Sequence, residues 1–133
     1  MNELINPWRR VGDFNGRATR KEFWSGVIQF TLVFAAFIVI TITLSEAGAS
    51  APVFVSWSLF FLAMLIFLTV CATSVGIRRI HDFDVTGWLV LTFYIPYLGW
   101  IAAIVVGCIP GTAGPNRWGA DPRGGPALQQ VFS

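Results

Sequence analysis

The sequence predicts an all-α, polytopic membrane protein with about three hydrophobic segments, the third of them (87–109) kinked or re-entrant at Pro96. Two observations carry this. Apolar residues make up 55% of the 133-residue chain and charged residues only 12%, with a mean hydropathy of +0.66. A soluble domain carries about 25% charge to keep its surface wet, so most of this surface faces something other than water. The charges also leave three long gaps, at 23–45, 47–77 and 85–116. Each exceeds the roughly 20 residues that a helix rising 1.5 Å per residue needs to cross about 30 Å of hydrocarbon.

Residues 1–22 form a basic segment that leads into the first span, 23–45. Thr19-Arg20-Lys21-Glu22 has the T-x-x-E form of a capping box. Thr19 is expected to accept from an early helix amide, and Glu22 to reach back to the Thr19 amide. The first span stops at the small, polar run from Ser45 to Pro52, and the second covers 53–77 with Trp57 near one interface. Residues 78–86 form the next loop, opening with Arg78-Arg79, whose cations reach headgroups and the last helix carbonyls. The third segment, 87–109, is long enough for one span but carries Pro96-Tyr97-Leu98-Gly99-Trp100 at its midpoint. Proline breaks the helix ladder, and Tyr and Trp favour the interface. A kinked span is the first reading and a returning pair of short helices the second. A Gly/Pro-rich polar tail, 110–133, completes one membrane domain. Ala47-Gly48-Ala49 resembles a signal-peptidase site, but the preceding apolar run is too long for a signal sequence and reads as a retained helix.

Lys and Arg mark the cytoplasmic side. Arg9, Arg10, Arg17, Arg20 and Lys21 precede the first span, none lies in 45–52, and Arg78 and Arg79 follow the second. The N-terminus and the 78–86 loop are therefore expected in the cytoplasm. A full third span places Arg117 and Arg123 outside, whereas a returning segment brings them to the same face.

The chemistry-bearing residues all sit at segment ends. Arg17, Arg20 and Glu22 form a collar before the first span. Arg78, Arg79, His81 and Asp82 crowd the end of the second, where Arg78 and Asp82 at i, i+4 are spaced to pair on a continuing helix. Such a pair would satisfy charges at a depth where a lone Arg costs about 2–3 kcal/mol. Asn116, Arg117 and Asp121 lie in the loop after the third segment. The structural reading is a network joining the 78–84 stretch to the N-terminal collar. The functional reading is one cytoplasmic-edge cluster that binds a partner or anionic lipid headgroups.

Several classes are disfavoured. One histidine beside two acids fixes no coordination geometry, so no metal, cofactor or catalytic residue is expected. The tail loop lacks a phosphate-loop pattern. No charge lies at a segment centre, where transporters place ionisable groups. A net charge of +2 without a basic run argues against nucleic acid. Cys71 and Cys108 lie within apolar runs and read as buried thiols.

F-N-G-R-A-T-R-K-E-F-W at 14–24, R-R-I-H-D at 78–82 followed by G-W at 87–88, I-P-Y-L-G-W at 95–100 and P-G-T-A-G-P-N-R-W-G-A-D-P at 110–122 resemble the domain of unknown function 805 family. Ile80 stands where that family usually has Leu, Trp118 where Tyr is common, and Thr86 where Ser is expected. The resemblance covers about residues 8–124 and implies a small bacterial inner-membrane protein of one compact domain. It carries no biochemical activity that can be transferred. The expected function is a non-enzymatic membrane interaction or scaffold protein, in contact with the lipid bilayer and with a membrane partner or further copies of itself. An oligomeric permease or channel component is the alternative, and a lipid-headgroup enzyme using His81 a second.

Overall fold

The structure is a computed structural model and describes residues 9–123. It is helical: α1 (Arg20–Glu46), α2 (Ala51–His81), a 3-10 helix (Gly87–Tyr94) and α3 (Leu98–Cys108). Among the described residues the only bridge pairing is the isolated one between Asn116 and Gly119. The α1 and α2 helices are both long and apolar enough to cross a membrane, and this is the fold of a helical membrane protein.

Half of the capping box forms as the sequence predicts. The Thr19 hydroxyl accepts from the Glu22 amide at 3.1 Å. The Glu22 carboxylate, however, lies against Arg78 instead of turning back to Thr19. A tight turn with Gly48 at φ 66° joins α1 to α2, which takes Pro52 into its first turn, where the missing N–H goes unneeded. The far end of this helix pair is closed by aromatic stacking. Phe37 lies between Trp57 and Phe61, with centroids 4.5 and 3.7 Å away, and the Trp57 indole donates to Thr41 at 2.9 Å.

The expected loop at 78–86 begins later, because α2 continues through His81. Arg78 and Arg79 can stay helical and buried because each meets a carboxylate there.

Residues 87–109 form the returning pair rather than a single kinked span. Gly87 lies beside Ile77 and His81, the Tyr94 hydroxyl pairs with Thr73 further down α2, and Val106 and Ile109 are back beside Arg79. Both ends of the segment therefore sit at the same end of α2. The reversal has a local cause. Ile95, before Pro96, is forced to an extended conformation, and Tyr97 turns the chain at φ 63°. Gly99 then packs so closely on the Phe93 carbonyl that a Cβ there would overlap it. Inside the bend a small apolar core forms from Ile80, Val90 and Val106, flanked by Ile77, Phe83 and Phe93.

Candidate functional site

The hairpin's return brings three distant stretches of sequence onto the end of α2. Six of the expected site residues, Arg17, Glu22, Arg78, Arg79, His81 and Asp82, are buried there. Asn116 and Asp121 are half-buried at the rim, whereas Arg20 and Arg117 are exposed.

Asp82 is the hub. Its Oδ1 accepts from Arg17 Nε at 2.8 Å and lies 2.7 Å from Arg17 NH2, and its Oδ2 accepts from Arg79 NH1 at 2.5 Å. The two guanidiniums spend their remaining donors on backbone carbonyls. Arg17 reaches Thr112 and Gly114, both at 2.6 Å, and Arg79 reaches Val106 at 3.1 Å and Ile109 at 2.5 Å. Buried charges are tolerated when they are both paired and hydrogen-bonded, and each of these is. The Asp82 carbonyl also accepts from the Thr112 amide at 2.8 Å and from its hydroxyl at 3.1 Å, drawing the tail loop over the cluster.

The expected Arg78–Asp82 pair does not form. Asp82 turns to Arg79 at i, i+3, and Arg78 meets Glu22 on α1 with NH1 2.8 Å from Oε1. That contact is close but not aligned as a hydrogen bond. Among the described residues, all three Arg78 nitrogens and Glu22 Oε1 therefore lack a hydrogen-bond partner.

His81 is buried beside the tail loop. Its ring stacks on Trp118 at a centroid distance of 3.6 Å, and Nδ1 points at the Gly16 carbonyl at 3.3 Å, which fixes the proton on that nitrogen. Asn116 donates to the His81 carbonyl at 2.9 Å. Arg117 pairs with Asp84 at the surface, NH2 meeting its carbonyl at 2.5 Å and Nε lying 3.1 Å from its carboxylate. Asp121 binds the Arg123 amide and guanidinium and the Gly114 amide, and Arg123 above all holds its carboxyl down at about 2. The N-terminal stretch is fastened separately: Ser74 donates to the Arg10 and Asp13 carbonyls, and Arg10 holds the Asp13 carboxyl below its usual range. No group of three or more His, Cys, Asp or Glu residues is arranged to hold a metal among the described residues.

Residues 11–120 match the family described as a protein of unknown function, DUF805. The chain belongs to that family. It is 39% identical to inner membrane protein YhaI of Escherichia coli K12 over 94% of this chain and 98% of the relative. It is 37% identical to inner membrane protein YhaH of the same organism over 92% and 98%. No solved structure matches it significantly. In this DUF805 chain, three of the stretches that carried the resemblance, at 14–24, 78–82 and 110–122, meet at the cluster around Asp82. The fourth, at 95–100, makes the bend that returns the chain to it.

Sequence reasoning missed Ser74, Thr112 and Gly111. Ser74 reads as one more small polar residue in an apolar helix, and its role depends on a fold-back that periodicity does not encode. Gly111 had only its position before the tail loop as a signal. A Cβ there would overlap the Asp82 carboxylate.

Proposed function

We propose that this protein is a membrane interaction module. Its ion-paired end faces the cytoplasm, and exposed cations around that end hold anionic lipid headgroups. The observation that carries the reading is how the charges divide. Arg17, Arg79 and Asp82 are consumed by one another and by backbone carbonyls, so they serve as the rigid base. Arg20 and Lys21, at the start of α1, are exposed and form no ion pair with the described residues. Arg117 is also exposed but is paired with Asp84. Each cation near an anionic membrane surface contributes about 1 kcal/mol of attraction.

Charge bias supports the orientation. With the third segment returning, all nine Lys and Arg residues flank one end of the helix pair, and none lies in the turn at 47–50. The proposal is therefore two spans with a hairpin inserted from the cytoplasmic side.

Native mass spectrometry of protein released from nanodiscs tests the headgroup reading. Wild type is expected to keep phosphatidylglycerol in preference to phosphatidylcholine with the same chains. Arg20→Gln with Lys21→Gln is expected to lower that preference about thirtyfold, from two cations at about 1 kcal/mol each. An unchanged preference overturns it. Co-purification of a stoichiometric protein through the same face, with no lipid preference, would replace lipid with a protein partner.

A further inference from the structure

An apolar cavity of about 360 Å³ lies between α1, α2 and the hairpin. That places it in the roughly 300–1,000 Å³ range of small-ligand sites. Phe23 and Val75, both buried, form its back wall. The space exists because Ala72 on α2 and Ala103 on α3 face it where larger residues would fill it. Tyr97 and Trp100, which line it at the hairpin tip, are 88% and 72% exposed on the protein.

We propose that this cavity takes an acyl chain of a membrane phospholipid whose phosphate is held by Arg20. The phosphate half rests on the headgroup reading above, and the chain half stands on the cavity. Charge complementarity and depth single out this occupant. Arg20 is exposed, has no carboxylate partner among the described residues, and leans on the end of α3, with NH1 3.5 Å from the Cys108 carbonyl. From that level, Val27 is about 10 Å deeper along α1 and Ala103 about 8 Å deeper along α3, at 1.5 Å per residue. The headgroup layer is about 5–8 Å thick on each side of the hydrocarbon core, so a phosphate at Arg20 places the upper methylenes of its chain level with the cavity. An extended apolar peptide would need its backbone polar groups satisfied at this depth, and the lining is mostly apolar. A hydrocarbon chain has no such groups.

The test uses the whole chain in nanodiscs with phosphatidylglycerol carrying a photoreactive diazirine on one acyl chain. Crosslinks are expected to concentrate on the peptides containing Val27 and Ala103. Crosslinks spread evenly over the outward faces of α1 and α2 overturn the chain site. In native mass spectrometry, Ala103→Phe is expected to reduce the retained lipid about tenfold whatever its headgroup, by filling the space the chain occupies. Arg20→Gln is expected to keep the chain-directed crosslinks while lowering the phosphatidylglycerol preference about fivefold. Loss of crosslinking specificity with the preference intact sinks the cavity and leaves the headgroup reading standing. The reverse result sinks the headgroup reading and leaves the cavity. Ala103→Phe protein with unchanged helicity and unchanged lipid retention also overturns the chain site.

Discussion

Arg17 and Asp82 lie 65 residues apart and are joined at the buried end of α2 by contacts of 2.8 and 2.7 Å to a single carboxylate oxygen. Removing that carboxylate leaves Arg79 buried without its counter-charge and Arg17 with only Asp121, 4.0 Å away. Breaking a buried pair from one side costs about 3–5 kcal/mol. Asp82→Asn is therefore expected to lose about that much stability, read as a lowered unfolding midpoint in detergent by circular dichroism. Arg17→Lys is expected to lose part of it, since an ammonium cannot reach Asp82, Thr112 and Gly114 at once. A midpoint within error of wild type for Asp82→Asn would remove Asp82 from its place as hub.

Much of this arrangement was legible in the sequence, for definite reasons. Hydropathy and charge gaps locate α1 and α2 because crossing hydrocarbon imposes a length, and Thr19 marks its helix start through local geometry. Confinement of charges to segment ends pointed to one polar network. The choice between a span and a return at 87–109 was not legible, because length fits both and the deciding contacts, Gly87 on His81 and Arg79 on Ile109, are tertiary. Pairing was misread for the same reason. Spacing offers Asp82 to Arg78, but Glu22 on a neighbouring helix takes Arg78 and leaves Asp82 for Arg79 and Arg17.

Arg78 and Glu22 form a weaker kind of pair. Their contact of 2.8 Å is unaligned, so burial penalises both ions without the hydrogen bonds that would offset it. Glu22→Gln or Arg78→Met alone is expected to destabilise by about 3–5 kcal/mol, by stranding the remaining charge. Glu22→Leu combined with Arg78→Met is expected to match or exceed wild-type stability. A double variant less stable than wild type would mean that the pair is net stabilising after all.

The proposed topology puts residues on both sides of the hairpin in one compartment. In a chain with Cys71 and Cys108 changed to Ser, Asn15→Cys and Ala120→Cys are expected to react with an impermeant maleimide only in inside-out vesicles. Ser50→Cys, in the turn between α1 and α2, is expected to react only in right-side-out spheroplasts. All three positions are exposed on the protein. Labelling of Ala120→Cys together with Ser50→Cys would mean that the third segment crosses.

Acid is expected to release the tail loop from Asp121. Asp121 is held at about 2, below its ordinary 3.8, chiefly by Arg123. A carboxyl depressed in the folded state contributes stability that is complete above its unfolded value and is lost as the pH falls through the folded one. The anchoring of Gly114 and Arg123 should therefore persist at pH 5 and fade between about pH 4 and pH 2. Their amide chemical shifts, followed by NMR, report this directly because both amides donate to Asp121. Asp121→Asn is expected to weaken the anchoring at neutral pH and to remove the acid transition from those two signals.

Gly111 meets Asp82 so closely that a methyl group cannot be added without displacing the carboxylate. The φ of Gly111 is not in the left-handed region, so the requirement for glycine here is space and not backbone freedom. Gly111→Ala is accordingly expected to cost stability on the scale of overpacking, about 1–3 kcal/mol, and more if Asp82 is driven off Arg17 and Arg79. The size of the loss alone cannot separate a clash with Asp82 from a clash with the loop backbone, but a double-mutant cycle can. In Asp82→Ala the obstructing carboxylate is gone, so adding Gly111→Ala should cost close to nothing, and the two losses should fall short of additivity by most of the single-variant value. Full additivity, measured as unfolding midpoints of the four proteins in one detergent, would show that Gly111 serves the loop and not the hub. Sub-additivity would mean that the close approach of residue 111 belongs to the same packing unit as the Arg17–Asp82 pair.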